Sequence, residues 1–134
     1  MRSLFRKAIR GFTLVEIMIV VAIIALLAAL ALPNFVRARK RAQAAVILAA
    51  LKSIDSAVDQ YAIERNRSAG STAVWTDLQG YLKSGTSLYG SGGSDLFGAA
   101  FVGFTVDDVP RLNTTTYNRL SDVTPAGFWS PFYP

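Results

Sequence analysis

Gly11-Phe12-Thr13-Leu14-Val15-Glu16 opens, and Pro33-Asn34-Phe35-Val36 closes, the most apolar stretch of the chain. From Phe12 to Val36, 21 of 25 residues are apolar, and the exceptions are Thr13, Glu16, Pro33 and Asn34. About 20 such residues in a helix span the hydrocarbon core of a bilayer. From Arg37 to Pro134 only 43 of 98 residues are apolar, an ordinary globular fraction. The 51% hydrophobic content of the 134-residue chain therefore averages a membrane-length segment and a normal small domain.

Charge is segmented in the same way. Arg2, Arg6, Lys7 and Arg10 precede the apolar run, with no acid among them, and Arg37, Arg39, Lys40 and Arg41 follow it. Beyond Arg41 there are six basic and eight acidic residues, so the net charge of +5 does not describe the globular part. Nucleic acid is not an expected partner of a mildly acidic domain. The Arg37–Arg41 cluster reads as a headgroup anchor at the membrane edge. Both flanks of the apolar run are equally basic, so charge alone does not orient it.

The chain has no Cys and no His. Disulfides, thiolate metal sites, Ser–His–Asp triads and Cys–His pairs are excluded. The acids are scattered through helix and loop positions, and no enzyme is expected.

Glu16 discriminates among readings of residues 1–36. A plain anchor, or a signal peptide cut after Ala31, has no use for a carboxylate at the head of an apolar run, where it is costly. A cut after Gly11 supplies a partner. Phe12 then bears a positive amine, and Phe12 and Glu16 stand at i and i+4 on one helix face. Glu16 can neutralise its own amine or that of an adjacent subunit, which would fix subunit register.

Gly11-Phe12-Thr13-Leu14-Val15-Glu16, with the apolar run and Pro33-Asn34-Phe35, resembles the class III leader and N-terminal helix of type IV pilins and type II secretion pseudopilins. The resemblance implies cleavage by the prepilin peptidase between Gly11 and Phe12, methylation of Phe12, and Glu16 as the assembly carboxylate. It also implies residence in the bacterial inner membrane with the C-terminal domain outside the cytoplasm, then polymerisation with copies of itself into a pilus or pseudopilus. The implied partners are the assembly platform, minor pilins and, before assembly, membrane lipid. The alternative is an exported soluble binding domain released by signal peptidase after Ala31.

Beyond Pro33, which should kink or loosen the helix, Ile47, Leu51, Ile54, Val58 and Tyr61 recur every three or four residues as one apolar stripe. One helix is predicted from residue 12 to about 65, its second half covered by the C-terminal domain. A short helix is expected over Val74–Lys83, with Thr76 and Gln79 at capping-box spacing and Gly85 as a stop. Ser84–Ser94, with eight Gly or Ser, reads as a loop that lacks a phosphate-cradle ending. Ala99–Val106 alternates like a strand, and Asn113 caps a helical turn through Leu120. The aromatic tail from Phe128 to Tyr133 should pack on the long helix.

The expected fold is α+β: a long helix, half membrane and half amphipathic, packed against a small domain with a short helix and a small antiparallel sheet. The expected divisions are a leader at 1–11, a membrane half at 12–36, an amphipathic half at 37–66 and a globular domain at 67–134. Asp95-Leu96-Phe97-Gly98 is similar to the Asp-Pro-Trp-Gly segment of short G-type major pseudopilins, with the proline and tryptophan replaced. In that family calcium often staples the C-terminal loops, which makes Asp95, Asp107, Asp108 and Asp122 the candidate ligands. No other cofactor is expected.

Overall fold

A computed structural model describes residues 11–134; residues 1–10, which hold all but the last residue of the expected leader, lie outside it. The chain divides between Val36 and Arg37 into two compact units. Helix α1, Leu14–Glu64, runs through both.

In the first unit α1 is apolar on every side and exposed on every side, from Leu14 and Ile17 to Leu32 and Phe35. With a mean hydropathy of 3.0 over 18 residues, it is long and apolar enough to cross a membrane. The helix continues through Pro33. Proline offers no N–H to the carbonyl four residues back, and the Asn34 side-chain amide donates to the Leu30 carbonyl at 3.4 Å.

In the second unit the apolar stripe is the core. Ile47, Leu51, Ile54, Val58 and Tyr61 are all buried, joined by Ala44 one turn earlier. Burying each Leu or Ile contributes about 1.5–3 kcal/mol. Leu78, Phe101, Val106, Leu112, Leu120, Trp129 and Phe132 cover the stripe in one continuous cluster. The helix stops at Asn66, whose φ of 48° is left-handed. Arg67 N–H donates to the Ala62 carbonyl at 2.9 Å and Asn66 N–H to Ile63 at 3.4 Å, the paired closure of a Schellman motif.

Short elements follow. Helix α2 is the single turn Trp75–Leu78, extended by a 3₁₀ turn over Gln79–Tyr81. This replaces the single helix expected to Lys83, and Thr76 is not its cap: the Asp77 carboxylate accepts from Val74 N–H at 3.5 Å. The Gly/Ser-rich segment is not all loop, because Thr86 caps another single turn, α3, Ser87–Gly90. Helix α4, Thr114–Leu120, begins where expected, with the Asn113 side chain accepting from Thr115 N–H at 2.9 Å. A 3₁₀ turn at Ala126–Trp129 places the Trp129 indole in the core.

The expected antiparallel sheet is absent among the described residues. Residues 99–106 make only isolated bridges, Thr105 to Thr72, Ala100 to Ser94 and Val102 to Arg111. The cause is Gly103, whose φ of +82° breaks the extended run. Phe101 and Val106, five apart and so on opposite faces of a regular strand, are both buried. Their backbones still find partners: Phe101 N–H meets the Gly93 carbonyl and Val106 N–H that of Ser71, each at 2.9 Å.

Candidate functional site

At the start of α1, Thr13 and Glu16 cap the helix reciprocally. Thr13 backbone N–H and Oγ1 donate to Glu16 Oε2 at 2.8 and 2.9 Å, and Glu16 N–H donates to Thr13 Oγ1 at 3.2 Å. This is a capping box. Sequence reasoning singled out Glu16 but missed Thr13, although Thr-x-x-Glu before an apolar run is a readable signal. Both residues are exposed, so the carboxylate is held locally and remains open to another molecule.

Phe12, beside the capping box, is 86% exposed. A Cβ built on Gly11 meets nothing within 4 Å. Nothing within the described chain requires a glycine there.

The basic cluster is not uniform. Arg37, Arg39 and Arg41 are exposed, whereas Lys40 is half-buried and contacts Asp122 Oδ2, in the segment after α4, at 2.7 Å. That hydrogen bond, with the Arg37 charge nearby, holds the Asp122 carboxyl below its ordinary pKa. Further along α1, Asp55 is half-buried, and its carboxyl is raised by that burial and by the negative charge of Asp59 one turn away.

The four aspartates expected near calcium are not brought together, and no group of three or more acidic residues suited to a metal occurs among the described residues. Asp95 is committed to protein donors. Its Oδ1 accepts from Phe97 and Ala99 N–H at 2.8 and 3.0 Å, and its Oδ2 from the buried Thr116 hydroxyl. Asp122 is held by Lys40. Asp108 accepts from Val109 N–H at 2.9 Å and faces Arg111 at 3.8 Å. Asp107 is exposed at a left-handed φ of 64°. A calcium site needs six to eight oxygens around one point, and these residues do not fit one.

Asp95 instead ties its loop to α4. Arg119 on α4 stacks over the Phe97 ring at 4.7 Å, a second link between the same two segments. Thr116, the hydroxyl partner in this staple, carried no recognisable signal in the sequence.

Residues 6–32 match the family model described as the prokaryotic N-terminal methylation motif. The major component PilA4 of the type IV wide pilus of Thermus thermophilus is 42% identical over 69 residues, 52% of this chain and 53% of the relative. Core protein G of the type II secretion system of Pectobacterium carotovorum is 40% identical over 58 residues, 43% of this chain and 37% of the relative. A fimbrial protein of Pseudomonas aeruginosa is 39% identical over 93 residues, 67% of this chain and 59% of the relative. The chain thus spans about half the length, or less, of most of the curated relatives it matches. No solved structure matches significantly.

Proposed function

We propose that this chain, which shares the N-terminal methylation motif and helix of type IV pilins and type II secretion core protein G, is a structural subunit processed and built into a pilus-like filament. The observation that carries the reading is the arrangement at the head of α1. A glycine with free space around it precedes an exposed phenylalanine, and a capped glutamate heads a helix whose first part, to Val36, is apolar and exposed. Such a helix is stable only in lipid or against other apolar surfaces.

In this reading prepilin peptidase cuts between Gly11 and Phe12, and Gly11 is small because the enzyme, not this chain, surrounds it. Phe12 becomes the methylated terminus. The apolar half of α1 waits in the inner membrane with residues 37–134 outside the cytoplasm, and is then drawn into the filament core through an assembly platform and minor subunits. Glu16 moves from its local Thr13 donors to the amine of a neighbouring copy, exchanging hydrogen bonds from neutral donors for an ion pair. In this reading the subunit's work is mechanical.

N-terminal sequencing and intact mass of the membrane-extracted protein test this reading. A terminus at Phe12 bearing one methyl group is expected. A terminus at Leu32 would replace it with a soluble domain released by signal peptidase.

A further inference from the structure

An asparagine followed two residues later by Ser or Thr, with no proline between, can accept an N-linked glycan on an extracytoplasmic surface. The pattern occurs twice in this chain, as Asn66-Arg67-Ser68 and as Asn113-Thr114-Thr115. A triplet this short arises by chance, so the sequence alone does not choose between them. The structure does.

Asn113 is committed to the fold. Its Oδ1 caps α4 by accepting from Thr115 N–H at 2.9 Å, and its Nδ2 donates to the Ala100 carbonyl at 3.4 Å. It is half-buried, and Thr114 and Thr115 are already helical. The nitrogen that would take the sugar is thus held against the chain's own backbone. Arg111, two residues before it, is basic.

Asn66 is the opposite case. Every residue from 63 to 70 is exposed. Asn66 closes α1 in a left-handed conformation, and the bonds of that closure come from its backbone N–H and that of Arg67. Among the described residues, neither the Asn66 side-chain amide nor the Ser68 hydroxyl takes a hydrogen-bond partner, and both residues are exposed.

Glu64 adds a second sign. The full run is Glu64-Arg65-Asn66-Arg67-Ser68, with an acid two residues before the asparagine and a hydroxyl two residues after it. Bacterial oligosaccharide transferases grip both ends of such a run. The run must also leave regular structure and bend around the asparagine. The last turn of α1 can do this: Ile63 is 82% exposed, so fraying gives up little packing, and terminal turns open at small cost. Tyr81 stands beside Glu64 and Arg65, and that surface contact is what the opening breaks.

We propose that Asn66 is the acceptor of an N-linked oligosaccharide, delivered from a polyprenyl diphosphate carrier by a membrane transferase. Asn66 Nδ2 attacks C1 of the first sugar. The bond from Nδ2 to C1 forms, the bond from C1 to the diphosphate oxygen breaks, and the lipid diphosphate leaves. One amide proton passes to a base of the transferase. Ser68 and Glu64 hold the segment in register for the attack. The inference rests on the filament reading above in one respect, the placing of residues 37–134 outside the cytoplasm.

The lysine positions make the test direct. Cleavage after Lys52 and Lys83 isolates residues 53–83, whose one asparagine is Asn66, from residues 84–134, which hold Asn113. The full-length chain is extracted from membranes of the cells that make it, digested with a lysine-specific protease and read by mass spectrometry. Sugar is expected on peptide 53–83 and not on peptide 84–134. Asn66→Gly, which suits the left-handed closure of α1, should abolish the modification without disturbing the helix stop. Glu64→Gln should lower occupancy severalfold.

A bare 53–83 peptide overturns the proposal. Sugar that persists in Asn66→Gly is carried by a serine or threonine and overturns it too, as does sugar on peptide 84–134 in place of 53–83. The same digest reports the filament reading separately. A methylated peptide 12–40 supports that reading, and peptide 8–40 or 32–40 in its place sinks it, whatever is found at Asn66.

Discussion

Lys40 Nζ lies 2.7 Å from Asp122 Oδ2, so one member of the basic cluster is bound to the segment that follows α4. The pair closes a span of 82 residues between α1 and the end of the C-terminal unit. Because the hydrogen bond from Lys40 lowers the Asp122 pKa from 3.8 in the folded state, the unfolded chain takes up the proton first. The pair's contribution is therefore present above pH 3.8 and is lost as pH falls through the folded value. Asp122→Asn should lower the urea midpoint slightly at pH 7 and low salt. The difference from wild type should shrink in high salt and vanish in acid, since both side chains are partly exposed. A difference that persists in acid would mean the asparagine disturbs something other than charge.

Asp95 accepts three hydrogen bonds from its own chain. Asp95→Ala should destabilise the C-terminal unit by about 2–3 kcal/mol, and Thr116→Val by about 1–2, measured by denaturation of the detergent-extracted chain. Calcium or a chelator should leave the wild-type midpoint unmoved. A calcium-dependent rise would show that loop and α4 open to admit the ion.

The Trp129 indole is fully buried, and its N–H donates to Thr124 Oγ1 at 3.2 Å. Thr124→Val strands that donor and should cost about 1–3 kcal/mol, whereas Thr124→Ser should cost less. Equal losses from both would mean that the methyl group serine lacks matters as much as the hydroxyl that valine lacks.

Gly93 and Gly98 both have left-handed φ, +85° and +81°. A Cβ on Gly93 would also sit 3.0 Å from the Trp75 ring, while one on Gly98 meets nothing. Both alanine variants should lose about 1 kcal/mol to backbone strain, and Gly93→Ala should lose more because the indole must move. Equal thermal shifts would remove the ring contact from the explanation.

At the head of α1, Gly11→Val should leave unprocessed chain in the membrane, read by mass. Glu16→Leu should be processed normally and fail to enter filaments. Unchanged filament yield from Glu16→Leu would end the assembly role for this carboxylate.

What the sequence made legible was whatever repeats. The stripe Ile47, Leu51, Ile54, Val58 and Tyr61 is buried in full, because five residues at helical spacing have one face to share. The Asn113 cap was legible because it acts on its own neighbours. Residues 99–106 misled because alternation is a period of two, and a single positive φ at Gly103 resets it without disturbing the composition. The Ser84–Ser94 segment hid α3 behind its Gly and Ser content, although Thr86 supplied a cap. At the site, Glu16 stood out as a charge in an apolar run, while its Thr13 partner was overlooked. The aspartates were read by residue type. Their destinations, Thr116 for Asp95 and Lys40 for Asp122, are set by tertiary contacts that no local pattern encodes.

Both tryptophans, Trp75 and Trp129, and all five tyrosines lie beyond Arg37, and the apolar run from Phe12 to Val36 contains neither type. Absorption at 280 nm and the tryptophan and tyrosine fluorescence of this chain therefore originate in residues 37–134, whatever surrounds the apolar helix. With Trp129 fully enclosed and Trp75 half-enclosed beneath Gly93, emission should shift to the red when that unit opens. Its unfolding can be followed optically in micelles, vesicles or assembled fibres, with no label attached.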